Sequence, residues 1–150
     1  MRVVIQRVKN ASVSIDHNTI AQIKSGLLIL LGIEVADNKE DVFWLANKIS
    51  QLRIFSDKNG LMNSSVIDIN GEILIVSQFT LHAKTKKGNR PSFIKSANSK
   101  IAIPLYLMLI DELSKKINKK VQSGKFGENM EILLCNDGPV TIIIDSKNKE

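Results

Sequence analysis

The chain has 150 residues, 43% of them hydrophobic, and a net charge of +6. That length suits one domain and that apolar content supplies one core, which excludes a disordered chain. A single cysteine, Cys135, excludes an intrachain disulfide and fits a reducing compartment.

The first residues, Met1-Arg2-Val3-Val4-Ile5-Gln6-Arg7, lack the layout of a signal peptide. The longest apolar run, residues 27–33, falls far short of the roughly 20 residues that span a bilayer. The chain therefore reads as soluble and cytoplasmic, with no membrane partner. Its positive charge would attract phosphate backbones. The excess is mostly lysine in a chain also rich in Ile and Asn, so charge alone argues only weakly for nucleic acid.

Residues 2–8 alternate loosely and read as a strand, and Val13 and Ile15 alternate with Ser12 and Ser14 in a second strand with one wet face. Asp16-His17-Asn18 is a turn signal from which residues 19–24 return antiparallel. Residues 27–31 are apolar on both faces, as in a central buried strand. A helix is predicted over residues 39–52, with Val42, Leu45, Ala46, Ile49 and Leu52 on one face. Either Asp37 or Asn38 would cap it. A strand starting at Arg53 leads to a hairpin at Asp57-Lys58-Asn59-Gly60. Residues 72–79 form another buried strand, and residues 83–91 a polar, basic loop. A second helix ends near Lys120. Pro104 either starts it or kinks its first turns. Two late strands, residues 131–135 and 140–145, are split by Asn136-Asp137-Gly138-Pro139, and the tail 146–150 is expected to fray. Strands interrupted by two helices argue for an α+β domain with a largely antiparallel or mixed sheet.

Two segments could carry chemistry. Ser77-Gln78-Phe79-Thr80-Leu81 places polar groups where a buried strand ends, and such groups need partners. The bland alternative is a strand end whose hydroxyls cap nearby backbone. Asn136-Asp137-Gly138-Pro139-Val140-Thr141 is on its face a turn. A Gly-Pro bond has a small trans preference, so a cis form is accessible, and carbonyls aligned by such a turn could receive a ligand amino group. Conventional catalytic sets are missing. His17 and His82 lie far apart without metal-ligand spacing, so no metal site is predicted. Cys135 reads as a buried thiol. No Gly-rich phosphate loop is present, and no cofactor is implied. The loop Lys84-Thr85-Lys86-Lys87-Gly88-Asn89-Arg90 is either a solvated surface or a phosphate contact.

Taken together, Ser77-Gln78-Phe79-Thr80-Leu81 and Asn136-Asp137-Gly138-Pro139-Val140-Thr141 resemble the D-aminoacyl-tRNA deacylase family. The likeness extends to residues 1–8, to Gly88-Asn89-Arg90-Pro91-Ser92-Phe93, and to Gly124-Lys125-Phe126-Gly127 with Met130. It implies a barrel-like sheet with two main helices in one domain, and a homodimer with each active site at the subunit interface. It implies hydrolysis of the ester of D-aminoacyl-tRNA, and of glycine mischarged on alanine tRNA. Gly138 and Pro139, in cis, would enter the partner's site and reject L-residues, with Arg7 holding the pair and Asn136 and Thr141 supporting it. Ser77, Gln78, Phe79 and Thr80 would form the catalytic segment. Phe126 and Met130 would lie near the terminal adenosine of the tRNA 3′ end, and Lys86, Lys87 and Arg90 against its backbone. DNA is not an expected partner.

An aminoacyl ester is already activated, so backbone amides of Phe79 and Thr80 could stabilise its oxyanion while the ribose 2′-hydroxyl of the substrate assists. The rival mechanism makes Thr80 a covalent nucleophile, which needs a base, and His82 is the only candidate. Two other functions remain open at this point. A non-catalytic RNA-binding module explains the charge, but an aromatic content of 5% offers few stacking platforms. A small-ester hydrolase would use Thr80.

Overall fold

The computed structural model describes residues 1–149. Its organising element is β1 (Arg2–Ile15), one continuous strand where the sequence suggested two. β1 pairs antiparallel with β2 (Asn18–Ile23) through its second half and with β3 (Gly26–Gly32) through its first. Along the opposite edge it pairs with β8 (Glu131–Asp145) over nearly its whole length. β6 (Glu72–Ser77) runs parallel to β3, and the short β7 (Gln122–Ser123) runs parallel to β6. The order is β2-β1-β3-β6-β7, with β8 on β1. β2 comes back against β6 and β7, so the mixed sheet curls toward a barrel. β4 (Phe55–Ser56) and β5 (Met62–Ser64) form the predicted hairpin apart from it.

The two apolar faces of β3 and β6 serve two cores. Leu27, Ile29 and Leu31, with Ile73 and Ile75, face the larger core under the helices. Leu28, Leu74 and Val76 face the smaller one inside the curl. β1 serves both by changing phase. Val3 and Ile5 belong to the larger core, and Val8, Ala11 and Val13 to the smaller. Val8 pairs with Asn136 and Asn10 with the adjacent Cys135, so Lys9 is an inserted residue. Such a bulge reverses the alternation of side chains beyond it.

α1 (Lys39–Gln51) begins with a capping box. Asn38 accepts from the Asp41 and Glu40 amides, and the Asp41 carboxylate accepts from the Asn38 amide at 2.9 Å. Asp37, the other candidate cap, pairs instead with the α-ammonium of Met1. α2 (Ser99–Ile117) starts before Pro104, because Asn98 caps it by accepting from the Ile101 amide. Pro104 is therefore inside the helix, on its exposed side. Near the end of α2 Lys116 donates to Asn47 on α1, and just past that end Lys119 donates to the Asn70 carbonyl.

Two further expectations are corrected. Residues 131–135 and 140–145 are one strand with an outward bulge, since both ends stay paired to β1. The tail does not fray at Ser146, which is buried. Its amide donates to the Met1 carbonyl at 2.8 Å and its hydroxyl to Asp41 at 2.7 Å. Glu150 lies outside the described residues. Among the described residues no helix is long and apolar enough to cross a membrane.

Candidate active site

The strand β6 ends at Ser77, two residues earlier than the hydrophobic pattern suggested. Gln78 still donates its amide to the Leu31 carbonyl on β3 at 2.7 Å, and the chain then turns into a 3₁₀ helix, Phe79–His82. The turn lies close against the end of β3. A Cβ on Gly32 would stand 3.0 Å from the Leu81 Cβ and 3.1 Å from the Gln78 carbonyl oxygen, so a glycine suits this packing. The first amides of a helix have no partners within it. Gln78 gives no side-chain cap here, so among the described residues the Phe79 and Thr80 amides remain as available donors.

Ser77, Gln78 and Phe79 line a cleft of about 520 Å³, and Phe126 and Met130 line it with them. Leu31, Val76 and Ile132 give it an apolar wall. Phe126 is braced by Tyr106 in an edge-on contact at 5.6 Å. The Tyr106 hydroxyl lies 3.0 Å from the Ile75 carbonyl, and burial pushes its pKa up to about 12. The Met130 sulfur lies against Gly124, where a Cβ would meet it at 2.6 Å. Thr80, next in the chain to the lining residue Phe79, is exposed. Its hydroxyl accepts from the Gln78 side-chain amide at 2.5 Å. An amide donor cannot remove the hydroxyl proton. The one candidate base, His82, is buried, and its Nε2 has no partner among the described residues. Among the described residues no hydrogen bond joins Thr80 to His82.

The second motif stands apart from this cleft on its own chain. Val8 pairs with Asn136 and Gln6 with Thr141, so residues 137–140 loop outward opposite Arg7. Gly138 and Pro139 are exposed and joined by a cis bond. Asn136 closes the loop with both ends of its side chain. Its oxygen accepts from the Val140 amide at 2.9 Å, and its nitrogen donates to the Val140 carbonyl and the Thr141 hydroxyl, each at 3.3 Å. Gln6 also donates to Thr141. Arg7 spans the base, donating to the Ile54 carbonyl and to the Asp137 carbonyl, with the Asp137 carboxylate 3.1 Å away. Sequence reading found Arg7, Asn136 and Thr141 but not Gln6 or the Ile54 carbonyl, for which no local signal exists. Cys135 beside the loop is exposed, contrary to its apolar surroundings in sequence, because that stretch of β8 is a sheet edge turned to solvent.

Lys86, Lys87 and Arg90 lie on an exposed loop closed by the Lys84–Ser92 bridge. The segment that follows packs on the 3₁₀ turn. The Phe93 ring meets that of Phe79 edge-on at 5.0 Å, and the Ser96 hydroxyl donates to the Phe79 carbonyl at 3.0 Å. The basic loop and the cleft mouth are thus one connected surface. Ser96 escaped the sequence reading because nothing in its local pattern marks it.

Residues 4–145 match the family model described as D-Tyr-tRNA(Tyr) deacylase. The chain is 63% identical to a D-aminoacyl-tRNA deacylase of Flavobacterium psychrophilum and 59% identical to one of Parabacteroides distasonis, with 100% of both chains covered each time. Among solved structures, the c-Myc DNA Unwinding Element Binding Protein superposes with a TM-score of 0.92 at 38% identity, covering 97% of this chain and 98% of that one. A model match over nearly the whole length, with the motif at the end of β6 lining a cleft and the other set on a braced bulge, places this chain in the D-Tyr-tRNA(Tyr) deacylase family.

Proposed function

We propose that this single-domain chain hydrolyses the ester of D-aminoacyl-tRNA at the tRNA 3′ end, in the cytoplasm where charged tRNA resides, and that it works as a homodimer. The observation that carries this reading is the division of the two motifs: Ser77, Gln78 and Phe79 line the cleft, whereas Gly138 and Pro139 project from an exposed bulge that does not. A second copy would supply the bulge to this chain's cleft. β8 pairs only with β1 among the described residues and exposes Leu133 and Ile143 by 73% and 68%. A long, apolar, unpaired edge of this kind favours cover by another protein surface.

In this reading the Phe79 and Thr80 amides receive the developing oxyanion, a contribution of about 10²–10³ in rate per donor. The substrate's ribose 2′-hydroxyl assists the attack of water. Gln78 holds the Thr80 hydroxyl through a donor that cannot serve as a base, which supports substrate assistance over a threonine nucleophile. Phe126 and Met130 form the wall against which the terminal adenosine stacks, and Lys86, Lys87 and Arg90 meet the tRNA backbone. The partner's Gly-Pro turn is a steric wall against an L side chain and adds no attraction for a D one. Selectivity of that kind tolerates many D-residues and admits glycine.

The test is a deacylation time course of the purified protein on D-tyrosyl-, L-tyrosyl- and glycyl-tRNA. The D-ester and the glycyl ester should turn over while the L-ester survives. Equal hydrolysis of the two tyrosyl esters defeats the reading, and tRNA binding with no turnover would favour an RNA-binding module.

A further inference from the structure

We infer that Ser96 is a positioning residue for the reaction: its hydroxyl sets the orientation of the 79–80 peptide, and with it the Thr80 amide that meets the oxyanion. This rests on the oxyanion role proposed above for that amide.

The Phe79 carbonyl and the Thr80 amide belong to the same peptide unit. A trans peptide is planar, so its C=O and N–H point in opposite directions and cannot turn independently. Fixing the carbonyl fixes the amide. The Ser96 hydroxyl donates to the Phe79 carbonyl at 3.0 Å. Ser96 is itself well placed to act as a reference point. Its amide donates to the Phe93 carbonyl at 3.0 Å, it bridges to Glu34, and the next residue, Ala97, donates to the Ile33 carbonyl at 2.9 Å. Glu34 and Ile33 directly continue β3, and Leu31 on β3 accepts from Gln78 at 2.7 Å on the other side of the turn. Both anchors of the 78–80 segment are therefore referred to one rigid strand. Phe93 adds a ring contact at 5.0 Å to Phe79 within the same segment as Ser96. The i→i+3 bonding of the 3₁₀ turn also engages the Phe79 carbonyl, but the turn is only one turn long and Phe79 is itself exposed, so the Ser96 hydroxyl is what ties this peptide plane to the neighbouring segment.

Catalysis by fixed dipoles depends on donors that need no reorientation when charge develops. Loss of the Ser96 hydroxyl leaves the donor present but free to swing, and a modest misalignment is costly. The experiment compares Ser96→Ala and Ser96→Thr with the unaltered protein. It uses single-turnover kcat and KM on D-tyrosyl-tRNA, the thermal midpoint, and the chemical shift and exchange rate of the Thr80 amide by NMR. Ser96→Ala should lower kcat by about tenfold, a fraction of the roughly 10²–10³ expected for outright loss of a donor. KM and the thermal midpoint should stay unchanged, the Thr80 amide should shift and exchange faster, and Ser96→Thr should restore both kcat and the amide signal. A merely structural role would lower the midpoint or raise KM instead, and either result alone overturns the inference. If neither kcat nor the amide responds to Ser96→Ala, Ser96 has no positioning role and the oxyanion reading stands. If the amide shifts while kcat does not, the inference falls because the Thr80 amide is not the oxyanion donor.

Discussion

Gly138 has φ 124°, a backbone conformation that L side chains rarely adopt. A Cβ there would lie 2.9 Å from the Arg7 Nη2. The end of an arginine can usually move aside, but this guanidinium is held by the Ile54 and Asp137 carbonyls. Gly138→Ala should therefore cost about 1–3 kcal/mol locally and disturb the bulge. Because the bulge is exposed, the expected result is a marked loss of deacylation beside a fall in thermal midpoint of roughly 2–12 °C. A fully active and fully selective variant would separate the bulge from the function. Thr80 makes the opposite case. Its hydroxyl accepts one hydrogen bond from Gln78, and a neutral bond of that kind contributes about 0.5–1.5 kcal/mol. Thr80→Ala should then retain activity within about tenfold. Complete loss of turnover in a normally folded variant would restore Thr80 as nucleophile.

At the scale of elements, the bulge at Lys9 decides which side chains β1 sends to each core. Deleting Lys9 would reverse the alternation beyond Val8 and turn Ala11 and Val13, both buried in the smaller core, toward the other face. Burial of a valine side chain alone is worth about 1.5–3 kcal/mol, so the deletion should leave little folded protein by circular dichroism. Replacing Lys9 with Ala should be tolerated, since only its place in the count matters. Pro104 lies within α2 and is exposed, and a proline in a helix interior removes one backbone bond. Pro104→Ala should raise the thermal midpoint, with a gain of about 1–3 kcal/mol. These elements also show what was legible in the sequence. Buried strands and the apolar face of α1 are written in short-range periodicity and were readable, as was the strand-end motif of the cleft. Both bulges were not, because an inserted residue is defined by its partner on a distant strand. The start of α2 was obscured because Pro104 outweighed the cap signal of Asn98. Ser96 and the Ile54 carbonyl were invisible for a related reason: each acts through one contact made only by the fold.

The molecule as a whole is closed by a polar cluster that joins its first residue, the start of α1 and the residues after β8. The Met1 ammonium meets Asp37 and the Ser146 hydroxyl, Ser146 donates to Asp41, and Lys147 pairs with Asp41 at 2.7 Å. Beside it Arg2 pairs with Asp145 at 2.8 Å. Burial alone would raise the Asp41 carboxyl, but hydrogen bonds from Lys147, Ser146 and the Asn38 amide together outweigh it and hold the group below its usual value. Asp145 behaves likewise, with burial opposed by the Lys147 amide and by Arg2. A carboxyl whose pKa is lower folded than unfolded binds fewer protons in the native state, so stability rises with pH through that range. The contribution is complete above the unfolded value of about 4 and disappears as the pH falls through the lower folded values. The urea midpoint should accordingly be level near neutrality and fall below about pH 4. Asp41→Asn keeps an oxygen to accept from the Asn38 amide but carries no charge for Lys147. It should lower the midpoint at neutral pH and make its decline in acid shallower. An unchanged acid slope in that variant would place the acid sensitivity outside this clasp.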